Sequence, residues 1–516
     1  VIETPKTKFV KRYEPDNQAR VELKNGRFLD VINGRYFDVG TSVILKEGKI
    51  ESMPGLPGEP TSIKPDFTID LQGKTVMPGL YNTHIHIPAI QPVMLAGLRD
   101  QKRIKKLIGR QKENDMAECL AHGITHIRDA WAANLSDNRV LKERISKGEI
   151  PGPRILQAVA IGLPGGYLQE KSLLSKVILQ TADTSKSYAG ALTIPLNAKE
   201  QQVRDAVDKA IDERRADVIK IGDEPTSVIT GKPIPSMTIE QLSAIADQAR
   251  LRGVQSMMHH SSLESFRRGV KAGVSSLEHE PMDAQLTQED IEAFKVAGCM
   301  LDPTISAFYS FFSWQLAGRR MKVHPELDRL TAFREQTYTF DFIADEFFIP
   351  ELRADVMKGY NRCASGRPKL LGFIDGAMMY GWSTKAATAF ENFCLLYENG
   401  IPMTTSNDTL PPCTASMMNL ELRMMDHVLK GNPDGKQISG AEAVKIATIN
   451  SARSMGLEDK FGSIETGKTA DVVILDGDPL EDFRLIGSRV AALIMDGKLV
   501  INNCGLEVKP NGQAQS

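Results

Sequence analysis

The chain has 516 residues, of which 41% are hydrophobic and 25% charged, and its net charge is −2. That composition is ordinary for a soluble globular protein, and the near-neutral charge argues against a nucleic-acid partner. No apolar run reaches the roughly 18 residues a membrane span needs. The length predicts two to four domains, or one large domain with a satellite. The sequence opens on Val1 rather than Met. That start suggests a trimmed N-terminus and leaves the location open: cytoplasmic, or periplasmic or secreted if an export signal was removed. The six cysteines are Cys119, Cys299, Cys363, Cys394, Cys413 and Cys504. They are scattered with no Cys-x-x-Cys pair, which excludes a zinc finger, and most of them read as buried free thiols.

In chain order, residues from Ala19 to Gln72 alternate short apolar runs with turns and predict β-strands and hairpins. Next comes Val76-Met77-Pro78-Gly79-Leu80-Tyr81-Asn82-Thr83-His84-Ile85-His86. It predicts a strand ending in two histidines one residue apart. Side chains at i and i+2 of a strand share a side, so His84 and His86 aim two imidazoles at one point. Such a pair is half of a metal site, or else two ordinary histidines at a sheet edge. From Gly79 to Gly462 strand-like runs alternate with helical periods, which indicates parallel βα units. That span, roughly 380 residues, fits a (β/α)₈ barrel with insertions. Strands are predicted at 123–129, 217–221, 254–259, 274–279, 300–304 and 401–408, and a helix at 198–215. The runs 470–475 and 490–500 return to β texture and should pair with the N-terminal strands. The fold class is therefore α/β: a TIM barrel over 79–462 with a small β-sandwich built from both chain ends, 1–78 and 463–516. The tail from Lys509 to Ser516 is polar and predicted to fray.

Polar, metal-capable residues fall at the predicted C-terminal ends of five strands: His84 with His86, Lys220, His259, His279 and Asp408. Barrel active sites are built at that face. Taken alone, Lys220 could be a barrel lysine paired with Asp223 or Glu224, and Asp408 a turn or helix-cap residue.

The ordered set Met77-Pro78-Gly79-Leu80, His84-x-His86, Gly123-Ile124-Thr125 with Arg128-Asp129, Gly152-Pro153-Arg154, Lys220, His259, Glu278-His279, Asp408 and 462–471 resembles the amidohydrolase superfamily. The resemblance is to its imidazolonepropionase-like branch, with Xaa-Pro and Xaa-Arg dipeptidases and ochratoxin-type amidases, and runs from the first β segment to about Val500. It implies a metal-dependent hydrolase of a C–N bond (amide, N-acyl amino acid or dipeptide) that uses a metal-bridging hydroxide. It further implies two divalent metals, zinc by preference. His84, His86 and Asp408 would hold the first, His259 and His279 the second, and a carbon dioxide-derived carbamate on Lys220 would bridge them. A free ammonium repels a cation, whereas a carbamate offers anionic oxygen. Asp408 would also be catalytic, moving the proton from the attacking hydroxide to the leaving nitrogen. The family separates its two later histidine ligands by 20 positions, which matches His259 and His279. His260 should then face the other way, and His122, His126, His324 and His427 lie outside the motif.

The chain departs from the family at the predicted mouth. Gly165-Gly166-Tyr167 replaces Gly-Gly-His, so Tyr167 becomes a candidate catalytic hydrogen-bond donor or a wall residue. Gly222-Asp223-Glu224-Pro225 replaces a small, Gly-rich turn, and Ser406-Asn407-Asp408 stands for Gly-Thr-Asp. The segment 308–314, rich in Phe, Tyr and Trp, is either a packed exterior helix or a lid or pocket wall favouring a hydrophobic or aryl-containing small molecule. Two further readings stay open: an aryl urea, carbamate, thiocarbamate or lactone hydrolase with the same site, and a barrel scaffold that has lost its metals. A homo-oligomer is expected.

Overall fold

A computed structural model of the chain describes residues 6–13, 15–60, 63–87, 101–131, 135–167, 191–227, 231–307, 347–354, 385–408, 416–431 and 437–511. The segment 308–314, His324, Cys363 and Cys413 lie outside the described residues. Of the other cysteines, Cys119, Cys299 and Cys394 are buried free thiols and Cys504 is half-buried. No described helix is long and apolar enough to cross a membrane. The chain divides into two compact units, one of Val1–Asn82, Ala117–His126 and Ile438–Ser516, the other of Thr83–Met116 and Ile127–Gln437.

The first unit holds two sheets. One runs in the order Val508–Pro510, Phe67–Asp70, Val21–Lys24, Val43–Lys46, Lys49–Ser52. The other runs Lys498–Asn502, Ala492–Met495, Val472–Leu475, Thr75–Pro78, Arg27–Asp30, Arg35–Tyr36. Alternate residues of both sheets, among them Leu23, Val43, Ile69, Val76, Ile474 and Ile494, share one buried cluster. The sandwich thus draws strands from both chain ends. One expectation is corrected here: Val508–Pro510 does not fray but pairs antiparallel with Phe67–Asp70. Backbone pairing outweighs the polar side chains, which an edge strand can leave in water.

The remaining sheet is the barrel sheet, most of which lies in the second unit. Its strands, in order around the sheet, are Leu80–Ile85, Ile124–Asp129, Arg154–Gly162, Val218–Gly222, Gln255–His259, Ser276–Glu278 and Met300–Asp302. An eighth segment closes the ring. Met403 bridges in parallel to Leu301, and the Thr83 N–H donates to the Thr405 carbonyl at 2.8 Å. Eight parallel strands therefore form the expected (β/α)₈ barrel.

Local chemistry starts the helices that follow the strands. Thr238, Ser262 and Thr287 each accept the backbone N–H three residues on, which begins Ile239–Leu251, Leu263–Ala272 and Gln288–Ala297. These caps satisfy N–H groups the first helical turn leaves unpaired. Helix Glu200–Asp212 buries Val203, Val207 and Ala210, a stripe at the 3.6-residue period. Strand register then carries polar groups inward. It sets Gly222 beside His259, His259 beside Glu278, and Glu278 beside Asp302. Neighbours across a sheet share a face, so His259, Glu278 and Asp302 point the same way.

Candidate metal centre

The first strand ends with His84 and His86. The Nε2 atoms of both face one carboxylate oxygen, Oδ1 of Asp408, at 3.2 and 2.9 Å. Asp408 is brought there by the closing segment, and its N–H donates to the His84 carbonyl at 2.9 Å. Asp408 takes a left-handed φ of 52°. His86 is oriented from behind, with Nδ1 3.2 Å from the Trp131 carbonyl oxygen. A backbone acceptor on Nδ1 leaves Nε2 to bind.

A second donor group shares His84. Its Nδ1 lies 3.4 Å from Oε2 of Glu278. Ligand atoms of His84, Glu278 and His279 all fall within 4.8 Å of one another, as do those of His84, His86 and Asp408. Adjacent residues of a strand should face opposite sides, yet both Glu278 and His279 reach this group. The reason is a φ of 72° at His279, just past the strand end, which swings the imidazole round. Thr304 fixes it there, its Oγ1 2.5 Å from Nδ1.

Lys220 is buried on the fourth strand and makes its ion pair with Glu278. That differs from the alternative pairing with Asp223 or Glu224. Asp223 turns outward to Arg268 at 2.9 Å. Glu224 faces His259, with Oε1 3.7 Å from Nε2. His259 stands beside the second group, its ring centre 5.0 Å from that of His279. Tyr167 stacks on it at 4.1 Å with planes 10° apart, and the phenol oxygen lies 3.4 Å from Nδ1. His260 is buried with its ring 5.5 Å from Phe266 of the following helix. The His122 Nδ1 donates to the Gly487 carbonyl, and His126 stacks on Tyr81, both within the first unit. His427 sits on helix Met418–Gly431.

Electrostatics prepares these donors. Burial drives His84 and His279 down to about 3 and His259 well below its ordinary value. The three imidazoles are therefore neutral, with lone pairs to offer. Burial also lowers His86, but the Asp408 carboxylate outweighs it and the net shift is upward. Asp408 is held well below the carboxylate range because His84 and His86 overcome its burial. Burial brings the Lys220 amine down to about 7. Imidazole nitrogens and carboxylate oxygens are the donor set zinc takes. Two of the buried ring nitrogens here, His84 Nδ1 and His259 Nε2, have no hydrogen-bond partner. The residues fit a metal centre.

Glu278, Thr304 and Trp131 are the site residues that spacing alone did not assign. Glu278 was visible only as the neighbour of His279; a bend after the strand has no residue signature.

The fold and its donor cluster define a (β/α)₈ barrel with a candidate metal centre at its strand ends. The chain belongs to the amidohydrolase family, whose model matches residues 75–500. It is 30% identical over 135 residues to a 5-methylthioadenosine/S-adenosylhomocysteine deaminase of Thermoanaerobacter pseudethanolicus, a match covering 23% of this chain and 31% of that one. It is 38% identical over 71 residues to an imidazolonepropionase of Picrophilus torridus, covering 13% and 18%. The chain thus spans less than a third of the length of either relative. Among solved structures, a Xaa-Pro dipeptidase with bound methionine aligns with a TM-score of 0.63 and 21% identity over 94% of this chain and 100% of that one. The A. niger ochratoxinase gives 0.64 and 17% over 94% and 96%. These two likenesses are of fold.

Proposed function

We propose that the protein is a metal-dependent hydrolase that cleaves a C–N bond in a small molecule, an amide, N-acyl amino acid or dipeptide. The observation that carries this reading is the pair of donor groups that share the buried His84, one of them containing the Asp408 carboxylate. The relatives named deaminase, dipeptidase and imidazolonepropionase support the C–N class, and the departures at Tyr167 and 222–225 set this chain's own substrate apart. His84, His86 and Asp408 would hold one divalent metal, zinc by preference, and His259 and His279 the other, with Lys220 between them as a carbamate. Metals bound there would acidify water and polarise a carbonyl.

The chain's own groups supply the rest. Asp408 is ionised at neutral pH. Its carboxylate takes the proton of the attacking water and returns it to the leaving nitrogen. Tyr167 donates its phenolic hydrogen toward the carbonyl oxygen as negative charge builds there. An amine lowered to about 7 is about half uncharged at neutral pH, and only that form attacks carbon dioxide, which supports a carbamate on Lys220.

A second reading of the bridge is favoured by one contact. With Lys220 paired to Glu278, the Glu278 carboxylate would be the shared ligand and Lys220 its counter-ion. Lys220→Ala separates the two. A carbamate bridge predicts loss of most activity and of the second metal, with partial recovery in acetate or propionate, which refill the space. A Glu278 bridge predicts that Lys220→Ala keeps its metals and ignores added carboxylates. Wild-type protein that takes up no metal in zinc and bicarbonate, and turns over nothing in a panel of amides, aryl ureas, carbamates, thiocarbamates and lactones, would be a scaffold and the proposal would be wrong.

A further inference from the structure

Glu224 lies in the turn where this chain departs from its family, and the structure gives that departure a position. Lys220, Gly222 and Glu224 alternate with Ile221 and Asp223 along the end of the fourth strand. Asp223 leaves the barrel to accept the Met237 N–H at 2.6 Å and to pair with Arg268. Glu224 instead reaches His259. Pro225 follows it, which biases Glu224 to an extended backbone, and the Pro225 carbonyl is tied to the Ile234 N–H at 3.0 Å.

The two ends of the Glu224 carboxylate differ. Oε2 accepts from the Ser262 hydroxyl at 3.2 Å, and the Ser261 backbone N–H and hydroxyl also donate to the group. Oε1 is buried without a hydrogen-bond partner, and so is the His259 Nε2 it faces at 3.7 Å. An approach of about 0.5 Å makes them a hydrogen bond. On the other edge of the ring, Nδ1 faces the Tyr167 hydroxyl.

We propose that Glu224 is a positioning residue for His259: its Oε1 accepts the Nε2 proton, so that Nδ1 is the nitrogen offered to the metal, beside Tyr167. A carboxylate behind a ligand imidazole fixes both tautomer and ring orientation. His86 and His279 are oriented by a carbonyl and a hydroxyl; His259 has the Glu224 carboxyl oxygen for the same task. The proposal rests on the reading of His259 as a metal donor made above.

The test uses Glu224→Gln and Glu224→Ala beside the full-length wild type. The Ser261 N–H cannot reverse its polarity, so it holds the Gln oxygen and leaves the Gln NH₂ pointing at His259. That forces the proton onto Nδ1, the nitrogen meant for the metal. Zinc titration of the metal-free proteins in bicarbonate should show two sites in the wild type. The second site should weaken about 10–100-fold in Glu224→Gln and by less in Glu224→Ala, which merely removes the acceptor. Long-range proton–nitrogen NMR of the metal-free proteins, with His259 assigned by its loss in His259→Asn, should find the proton on Nε2 in the wild type and on Nδ1 in Glu224→Gln. Wild-type zinc affinity in Glu224→Gln overturns the proposal. So does a loss of zinc with the proton still on Nε2, which would mean that the carboxylate meets the metal directly. If the wild type binds fewer than two metals, the reading of His259 as a donor fails, and the NMR comparison still decides the Glu224–His259 pair by itself.

Discussion

Replacing Arg128 with Met should destabilise the barrel unit sharply, and the structure sets the size. Arg128 and Asp302 are both fully buried and form an ion pair. The Arg128 Nε also donates to the Thr83 carbonyl at 2.6 Å. Asp302 accepts from the hydroxyls of Thr83 at 2.7 Å and Thr404 at 2.5 Å. Met keeps the volume and removes the charge, which leaves a carboxylate stranded in a poor solvent. Removing one partner of a buried pair costs about 3–5 kcal/mol. Adding Asp302→Asn removes the stranded charge while keeping an oxygen for the two hydroxyls, so the double variant should be more stable than Arg128→Met alone. A coupling of about 2 kcal/mol is expected from the cycle. Urea unfolding of the metal-free protein, followed by circular dichroism, measures these losses. A loss under about 1 kcal/mol in Arg128→Met, or a double variant no better than the single, would refute the reasoning.

Asp408→Asn should lower kcat by about 10²–10⁴-fold while leaving metal bound, since one oxygen survives; elemental analysis alongside turnover checks it, and an unchanged rate would remove Asp408 from the chemistry. Tyr167→Phe should lower kcat on the order of 10²-fold with KM little changed if the phenol meets the developing oxyanion, whereas a change in KM alone would make it a wall residue. Burial raises the Asp115 carboxyl to about 7 from 3.8. Between those values the native state keeps a proton the unfolded chain has lost, so stability is full below the lower value and falls as pH rises toward 7, by at most about 4 kcal/mol. Asp115→Asn, still able to accept from Gln111, should flatten that slope in urea titrations across the window; an unchanged slope would place its origin elsewhere.

The barrel was legible because its strands end in polar residues that an apolar core cannot absorb without reason. His84 and His86 announce a shared direction through the strand period alone. The strand Arg154–Gly162 was harder to see, because a nine-residue, mostly apolar run has no period to distinguish strand from buried helix. The closing segment was read as a full strand over 401–408, and the structure pairs it through a bridge at Met403 and scattered backbone hydrogen bonds. The inward turn of Glu278 together with His279 could not be read at all. Strand alternation assigns them opposite faces, and a left-handed residue after the strand end breaks that rule. The partner of Lys220 was illegible for a related reason. Asp223 and Glu224 are near it in sequence, but register across two strands brings Glu278 closer.

The strand Thr75–Pro78 has a history as well as a place. In its sheet it lies between Arg27–Asp30 and Val472–Leu475. The second of these neighbours emerges from the ribosome roughly 400 residues later, about 20–80 s at ordinary synthesis rates. For that interval one edge of an apolar strand stands open on the nascent chain, a template for pairing with another copy. The sandwich can be completed only after the barrel sequence has been made, so order of synthesis sets order of assembly. A ribosome stalled before Val472 would release a chain whose barrel sequence is complete and whose first unit is still a sticky fragment.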